Sequence, residues 1–263
     1  MNTLDRFFII PLIFFGLLVA SVLFALIYQL SPGEMRSAIL SAETLFALRL
    51  SILVSLGALF IALILGIPSA YFLARRDFLG KGVLDTLLDI PLVMPPLVAG
   101  VGLLFLFGRS MLGEPLAKWG FDIVLSPWGA VVAQTYVATP IVIRNSKAAF
   151  ESVDYGYEAS AMTLGLSPAK VFLFVNLPLA GRSILSGIIL AWARAMGEFG
   201  ATLMVAGATQ YRTETLPIAV YLNISSGQVG IALSCAVVLV AVAFVLLLML
   251  RMISKGRISM RDG

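Results

Sequence analysis

A chain that makes or breaks covalent bonds near neutral pH needs titratable or nucleophilic groups, and this one offers almost none. It contains no histidine, the side chain that most often serves as general base or metal ligand at that pH. Its single cysteine, Cys235, lies inside an apolar run. That excludes an internal disulfide and argues against a zinc cluster; the expected role is a small core filler. No G-x-x-x-x-G-K-[ST] phosphate loop occurs, since Gly80-Lys81-Gly82 lacks the leading glycine and the hydroxyl. No catalytic residue, metal ligand or cofactor of its own is expected. The polar residues that stand out are of another kind. Arg194 and Glu198 are four apart in an apolar stretch, which puts them on one helical face. Thr135 and Thr139 repeat that spacing beside Gln134 and Tyr136. These groups can line a polar route or hydrogen-bond between helices. A third group is a polar interruption containing Glu158, Ala159, Ser160, Ala161, Gly165, Leu166 and Pro178.

The elements that must position these residues are apolar. The 263 residues are 60% hydrophobic and 12% charged, with a mean hydropathy of +1.02. Soluble domains are about half apolar and a quarter charged, so lipid is the solvent of this fold. A helix needs about 20 apolar residues to cross the hydrocarbon core. Six stretches read as spans, at about residues 7–27, 45–74, 87–107, 128–143, 184–206 and 229–250, the fourth being the shortest. The first is too long for a signal-peptide core and reads as a retained span. The second exceeds the required length, so it tilts or projects from the bilayer. The third contains Pro91, Pro95 and Pro96; each removes a backbone donor, so this helix kinks or starts late. Residues 216–224 are too short to cross and fit a small helix or re-entrant piece. Residues 113–125 read as an outer loop with an amphipathic turn. Continuous apolar runs exclude barrel strands. The expectation is an all-α integral membrane protein, a single transmembrane domain over 1–263 with no internal repeat.

Basic residues orient it. Twelve fall on one side of the six spans: Arg6, Arg75, Arg76, Lys81, Arg144, Lys147, Lys170, Arg182, Arg251, Lys255, Arg257 and Arg261. Four fall on the other: Arg36, Arg109, Lys118 and Arg212. The positive-inside rule puts both termini and the Glu158 loop in the cytoplasm. Arg49, near the outer end of the second span, snorkels to headgroups. These cations flank spans and do not interleave with aromatics, so nucleic acid is not an expected partner.

The Glu158 interruption has its own grammar. Ser152 or Asp154 can cap a helix start, and Glu158 in an early turn suits the helix dipole. Ala159, Ser160, Ala161 and Met162 follow; small side chains let another surface approach the axis. Gly165 is placed to end the helix in a left-handed conformation. Ser167-Pro168 restarts one as cap and first residue, and Pro178 is expected to end that second piece. The pattern predicts two short helices around a tight turn, either a generic interfacial hairpin or a docking element.

Glu-x-small-Ala, Gly165, nine residues and then Val175-Asn176-Leu177-Pro178 resembles the cytoplasmic "EAA" loop of ABC-importer permeases. The family glutamate falls where Ala159 sits; Glu158 is one residue earlier. The segments from Pro91 to Gly100 and from Ala193 to Thr202 resemble the molybdate/tungstate branch, and sulfate permeases share much of the Gly-Glu-Phe-Gly pattern. The resemblance spans about 42–250. It implies a type I importer (MetI-like) permease fold with six transmembrane helices and a coupling loop at 151–178. It implies a homodimer in the lipid bilayer, two cytosolic ABC ATPase subunits that bind ATP and Mg, and an extracytoplasmic oxyanion-binding protein. Coupling would fall to Glu158, Ala159, Ser160, Ala161, Gly165, Leu166 and Pro178. For Arg194, Glu198, Thr135 and Thr139 it implies candidacy for the pathway or gate, beside the plainer readings of an ion pair that locks the bundle and of interhelical hydrogen bonds. The implied function is ATP-driven import of a tetrahedral oxyanion by alternating access, in a prokaryotic cell membrane. The alternatives are a sulfate, thiosulfate or other solute permease of the same kind, and an ion-coupled secondary transporter. The latter would predict internal repeats and coupling carboxylates near the midplane, for which Glu198 is the sole candidate.

Overall fold

The computed structural model describes residues 3–29, 32–109 and 111–255, and every regular element among them is helical. Arg257 and Arg261, and the side chains of Arg6 and Lys255, assigned above to the inner side, lie outside the described residues. In chain order the α-helices are α1 (Thr3–Tyr28), α2 (Pro32–Ile39), α3 (Ala42–Arg75), α4 (Lys81–Val93), α5 (Pro96–Phe107), α6 (Gly113–Lys118), α7 (Pro127–Glu151), α8 (Tyr155–Thr163), α9 (Pro168–Val171), α10 (Leu177–Met196), α11 (Gly200–Ala206), α12 (Leu216–Ser225) and α13 (Val229–Lys255).

Helix α3 is the spine. Ser41 caps it, its hydroxyl accepting from the Thr44 amide at 3.2 Å, and Glu43 sits in the first turn. Its 34 residues make about 51 Å at 1.5 Å per residue. A bilayer core is about 30 Å thick, so α3 projects well beyond it and carries Arg75 out at its far end. Small residues recur along its buried face: Ala47, Ser51, Ala58, Ala62, Gly66 and Ala70. They let α7 lie close. A Cβ on Gly66 would come within 2.7 Å of Val142 Cγ1. On its other side α7 meets α10, where a Cβ on Gly187 would stand 2.5 Å from Asn145 Cβ. Lipid tails are as apolar as leucine, so close packing of small residues is what holds such helices together. Helix α1 touches α13 but leaves most of its apolar side chains exposed.

Among the described residues, four single helical stretches are long and apolar enough to cross a membrane: the Phe7–Tyr28 part of α1, α3, Pro168–Met196, and the Val229–Ile253 part of α13. The pair α4 and α5 adds a fifth if taken as one broken span. The expected span at 128–143 lies on α7, whose 25 residues reach about 37 Å. It falls short on apolarity because Gln134, Thr135, Thr139, Arg144 and Asn145 interrupt it. Six crossings are consistent with this arrangement.

Three expectations needed correction. The proline-bearing span does more than kink: α4 and α5 meet at 111°. A residue before proline is pushed out of the α region. Met94 precedes Pro95 and Pro95 precedes Pro96, and both are extended, at ψ 130 and ψ 132. The span expected at 184–206 is likewise broken, between α10 and α11 at Gly197–Phe199. Pro178, expected to end a helix, does not. The chain stays helical from Pro168 to Met196, because the turn Phe172–Asn176 widens to π geometry. There the Leu177 amide bonds to the Phe172 carbonyl, and the extra residue absorbs the donor and the space that a proline removes.

At the opposite end of α3, α12 packs on α3 and α13 around Ala47, Leu216, Ala219 and Cys235. Cys235 is fully buried, with its sulfur 3.5 Å from Thr44 Oγ1. Leu216 N donates to Ser51 Oγ at 2.7 Å, and Asn223 Nδ2 donates to Glu43.

Candidate functional site

The interruption between α7 and α10 forms the predicted short helix and tight turn, and its second piece runs on into α10. Asp154 is the N-cap of α8, its Oδ1 accepting from the Gly156 amide at 2.6 Å. Gly165 has φ +87. Its amide donates to the Met162 carbonyl (2.9 Å), and the Leu166 amide donates to that of Ala161 (3.2 Å). That pair of bonds is a Schellman closure, which uses up carbonyls the helix end would leave bare. Ser167 and Pro168 then start α9, although the Ser167 side chain makes no capping bond.

The hairpin has two faces of different chemistry. Outward point Tyr155, Tyr157, Ala159, Ser160, Met162 and Leu164, all exposed. Inward points Glu158, 2% exposed, with Ala161 beside it at 9%. Gly165 and Pro178 are exposed and Leu166 half-buried. The Glu158 carboxylate forms an ion pair with Arg75 Nε at the end of α3. Arg75 Nη2 donates to the Val153 carbonyl (2.9 Å) and to Asn176 Oδ1 (3.4 Å). Asn176 Nδ2 donates in turn to the Tyr71 hydroxyl (3.3 Å). Tyr71 packs against Phe150 and Phe172, ring centroids 5.3 and 4.8 Å away. Arg75, Tyr71 and Asn176 were not singled out from the sequence as site residues. In the sequence Arg75 serves to orient the spans, and Asn176 occupies the unspecified position of the Val-x-Leu-Pro pattern. The only signal was that a buried asparagine must find partners.

Other basic residues on this side are paired too. Lys147 Nζ lies 2.7 Å from Asp85 Oδ2, joining α7 to α4. Asp77, in the turn after α3, accepts from Lys81 Nζ at 2.8 Å, and that hydrogen bond holds its carboxyl below the ordinary range.

A second constellation sits where α10 breaks. Arg194 Nη1 lies 2.6 Å from Glu198 Oε2. The other carboxylate oxygen, Oε1, accepts from the Ala201 amide at 3.0 Å. Glu198, 1% exposed, therefore receives α10's last cation and caps the start of α11. Arg194 keeps 40% of its side chain exposed. Pro95, Pro96, Leu97, Arg194, Glu198 and Gly200 are among the residues that line a cavity of about 450 Å³. The starts of α5 and α11 adjoin it.

Thr135 and Thr139 stand elsewhere. Their hydroxyls donate to carbonyls of their own helix, of Val131 (2.7 Å) and Thr135 (2.8 Å). They border an apolar cavity of about 760 Å³ between α3, α4, α5 and α7. The structure brings Arg194 and Glu198 together and does not join the threonines to them. Gln134, fully buried with neither amide atom hydrogen-bonded, is the more conspicuous polar group on α7.

Comparison with known proteins bears on these features. The chain matches the family described as binding-protein-dependent transport system inner membrane component over residues 62–259. It is 39% identical over 206 residues to the molybdenum transport system permease protein ModB of Escherichia coli, covering 77% of this chain and 90% of that one. The ModB of Mycobacterium bovis is 36% identical over 245 residues, 92% of this chain and 93% of its own. Among solved structures, a bacterial alginate ABC transporter in complex with its alginate pentasaccharide-bound periplasmic protein aligns with TM-score 0.75 at 16% identity, over 96% of this chain and 93% of the other. The MetNI methionine ABC transporter aligns with TM-score 0.60 at 15% identity, over 78% and 92%. These two likenesses are of fold. With the family matched over most of its length and relatives above a third identical, the chain belongs to the inner membrane components of binding-protein-dependent transport systems.

Proposed function

We propose that this chain is the permease subunit of an ATP-driven importer of a tetrahedral oxyanion, molybdate or tungstate. The observation that carries the solute is the likeness, over most of the chain, to permeases named for molybdenum transport. Two copies form the path as a homodimer, since a gate on a symmetry axis needs two halves. Two cytosolic ATPases hold ATP and Mg, and a soluble protein outside the membrane delivers the anion. Both termini and the α8–α9 hairpin are cytoplasmic.

In this reading Ala159, Ser160, Ala161, Gly165, Leu166 and Pro178 shape the hairpin that enters the ATPase, and Glu158 holds it from behind. ATP closes the ATPases, the hairpins follow, and the permease pair opens outward to the docked binding protein. Hydrolysis restores the inward-facing state. Arg194, at the broken crossing, meets the anion. Glu198 offsets its charge, which suits a conduit, because conduction requires that the solute leave. Thr135 and Thr139 belong to the packing of α7 along that path.

Uptake into vesicles holding the permease, its ATPase and its binding protein tests this. Uptake should require ATP and be competed by molybdate and tungstate. Competition by sulfate alone moves the assignment to a sulfate permease. Uptake by the permease alone, driven by an ion gradient, overturns the ATP-driven role.

A further inference from the structure

Resting on the reading of α8 as the ATPase-docking helix, we infer that Arg75 is the positioning residue through which α8 moves the α3 spine. Helix α8 is nine residues long, and its packing beyond its own turn is mainly on α9 and the wide turn Phe172–Asn176. Those neighbours begin the continuous helix that runs into α10, so apolar contact ties α8 to that span but gives it little direct purchase on α3. The ion pair of Arg75 with Glu158 supplies it. Side-chain exposures of 12% for Arg75 and 3% for Glu158 keep water from shielding the pair, which separates it from surface pairs that contribute little.

The same guanidinium reaches further. It binds the Val153 carbonyl just beyond α7 and the Asn176 side chain within the π turn that leads into α10. A planar fork with several fixed donors can hold three partners at once, which an ammonium cannot do with fixed geometry. One residue therefore ties α8 to the ends of α3, α7 and α10. Asn176, fully buried, relays the contact to Tyr71 one turn back on α3. Exposed Ala159 and Ser160 are left to the ATPase, and displacement of the hairpin pulls on the spine.

The test uses the assembled transporter in vesicles, with hydrolysis and molybdate uptake measured together. Glu158→Gln and Arg75→Lys should leave the ATPase bound, because the outward face of α8 is unchanged. Anion moved per ATP should fall by about tenfold, within the range of coupling between distant sites. Stimulation of hydrolysis by loaded binding protein should fall with it. A single change strands a buried charge and can weaken folding, so Arg75→Met combined with Glu158→Leu serves as a second variant. Replacing both partners by apolar groups leaves no stranded charge, although the Val153 carbonyl and Asn176 lose a donor; the double variant should melt closer to wild type than either single variant yet stay uncoupled. Wild-type stoichiometry in the double variant overturns the inference, as does loss of ATPase binding in Glu158→Gln, which would make Glu158 a docking residue. Failure of the wild-type permease to bind an ATPase is a different result and overturns the functional reading instead.

Discussion

Gly165 governs the hairpin through what it lacks. Its φ of +87 belongs to the left-handed region, and a Cβ there would meet nothing within 4 Å. The cost of substitution is thus conformational and not steric crowding. A β-branched residue pays about 1–2 kcal/mol in that region, enough to reshape a two-helix turn while sparing the spans. Gly165→Val should reduce co-purification with the ATPase and leave membrane insertion intact; unchanged co-purification with unchanged uptake would count against docking. Arg194→Ala leaves Glu198, 1% exposed, with only the Ala201 amide. Removing one partner of a buried charged bond costs about 1–3 kcal/mol, moderated here because Arg194 is partly hydrated. A lower melting temperature in detergent is the expected result. Intact stability with abolished uptake would instead mark Arg194 as part of the path alone.

Between elements, α5 and α11 approach closely enough for backbone to meet backbone. A Cβ on Gly200 would lie 2.9 Å from Pro96 Cβ and 3.0 Å from the Leu97 amide nitrogen, and one on Gly100 2.8 Å from Ala201 Cα. Backbone cannot yield as a side-chain tip can. Gly200→Ala should therefore force the two half-helices apart, with an overpacking cost of about 1–3 kcal/mol, read as a lower melting temperature together with slower uptake. The segment joining α11 to α12 holds another constraint. Glu214 is fully buried and its carboxylate accepts from the Tyr211 amide at 3.1 Å. Burial, reinforced by Glu43 on α3, pushes its carboxyl up from 4.5 to about 7. Cys235 on α13 is the other titratable neighbour. An acid with a raised folded pKa favours the protonated state, so its contribution to stability is lost as pH rises from about 4.5 through about 7. Thermal unfolding should show a lower midpoint at pH 8 than at pH 5, and Glu214→Gln should flatten that difference.

For the whole molecule, orientation and coupling are the properties at issue. Native Cys235 is fully buried, so added cysteines can be read against a silent background. Leu164→Cys, on an 81% exposed position, should react with an impermeant thiol reagent only from the cytoplasmic side, and Arg212→Cys only from outside. The reverse pattern would invert the assembly and remove the hairpin from any cytosolic motor.

Span composition, the scarcity of chemically reactive groups, and the Asp154 cap, Gly165 turn and Ser167-Pro168 restart were all legible in the chain, because each follows from local backbone preference or from the length of an apolar run. Local rules stop where the outcome depends on a distant partner. Pro178 reads as a terminator until the π turn before it makes room. Residues 184–206 read as one span until Glu198 turns to cap α11 and Gly200 docks on Pro96. Glu158 reads as an early-turn acid suited to the helix dipole, and nothing local announces that Arg75, 83 positions earlier in the sequence, draws it inward. Sequence sets which segments are apolar and where turns are cheap; only the packed fold decides which buried charge finds which partner, since that choice is made by proximity across the bundle.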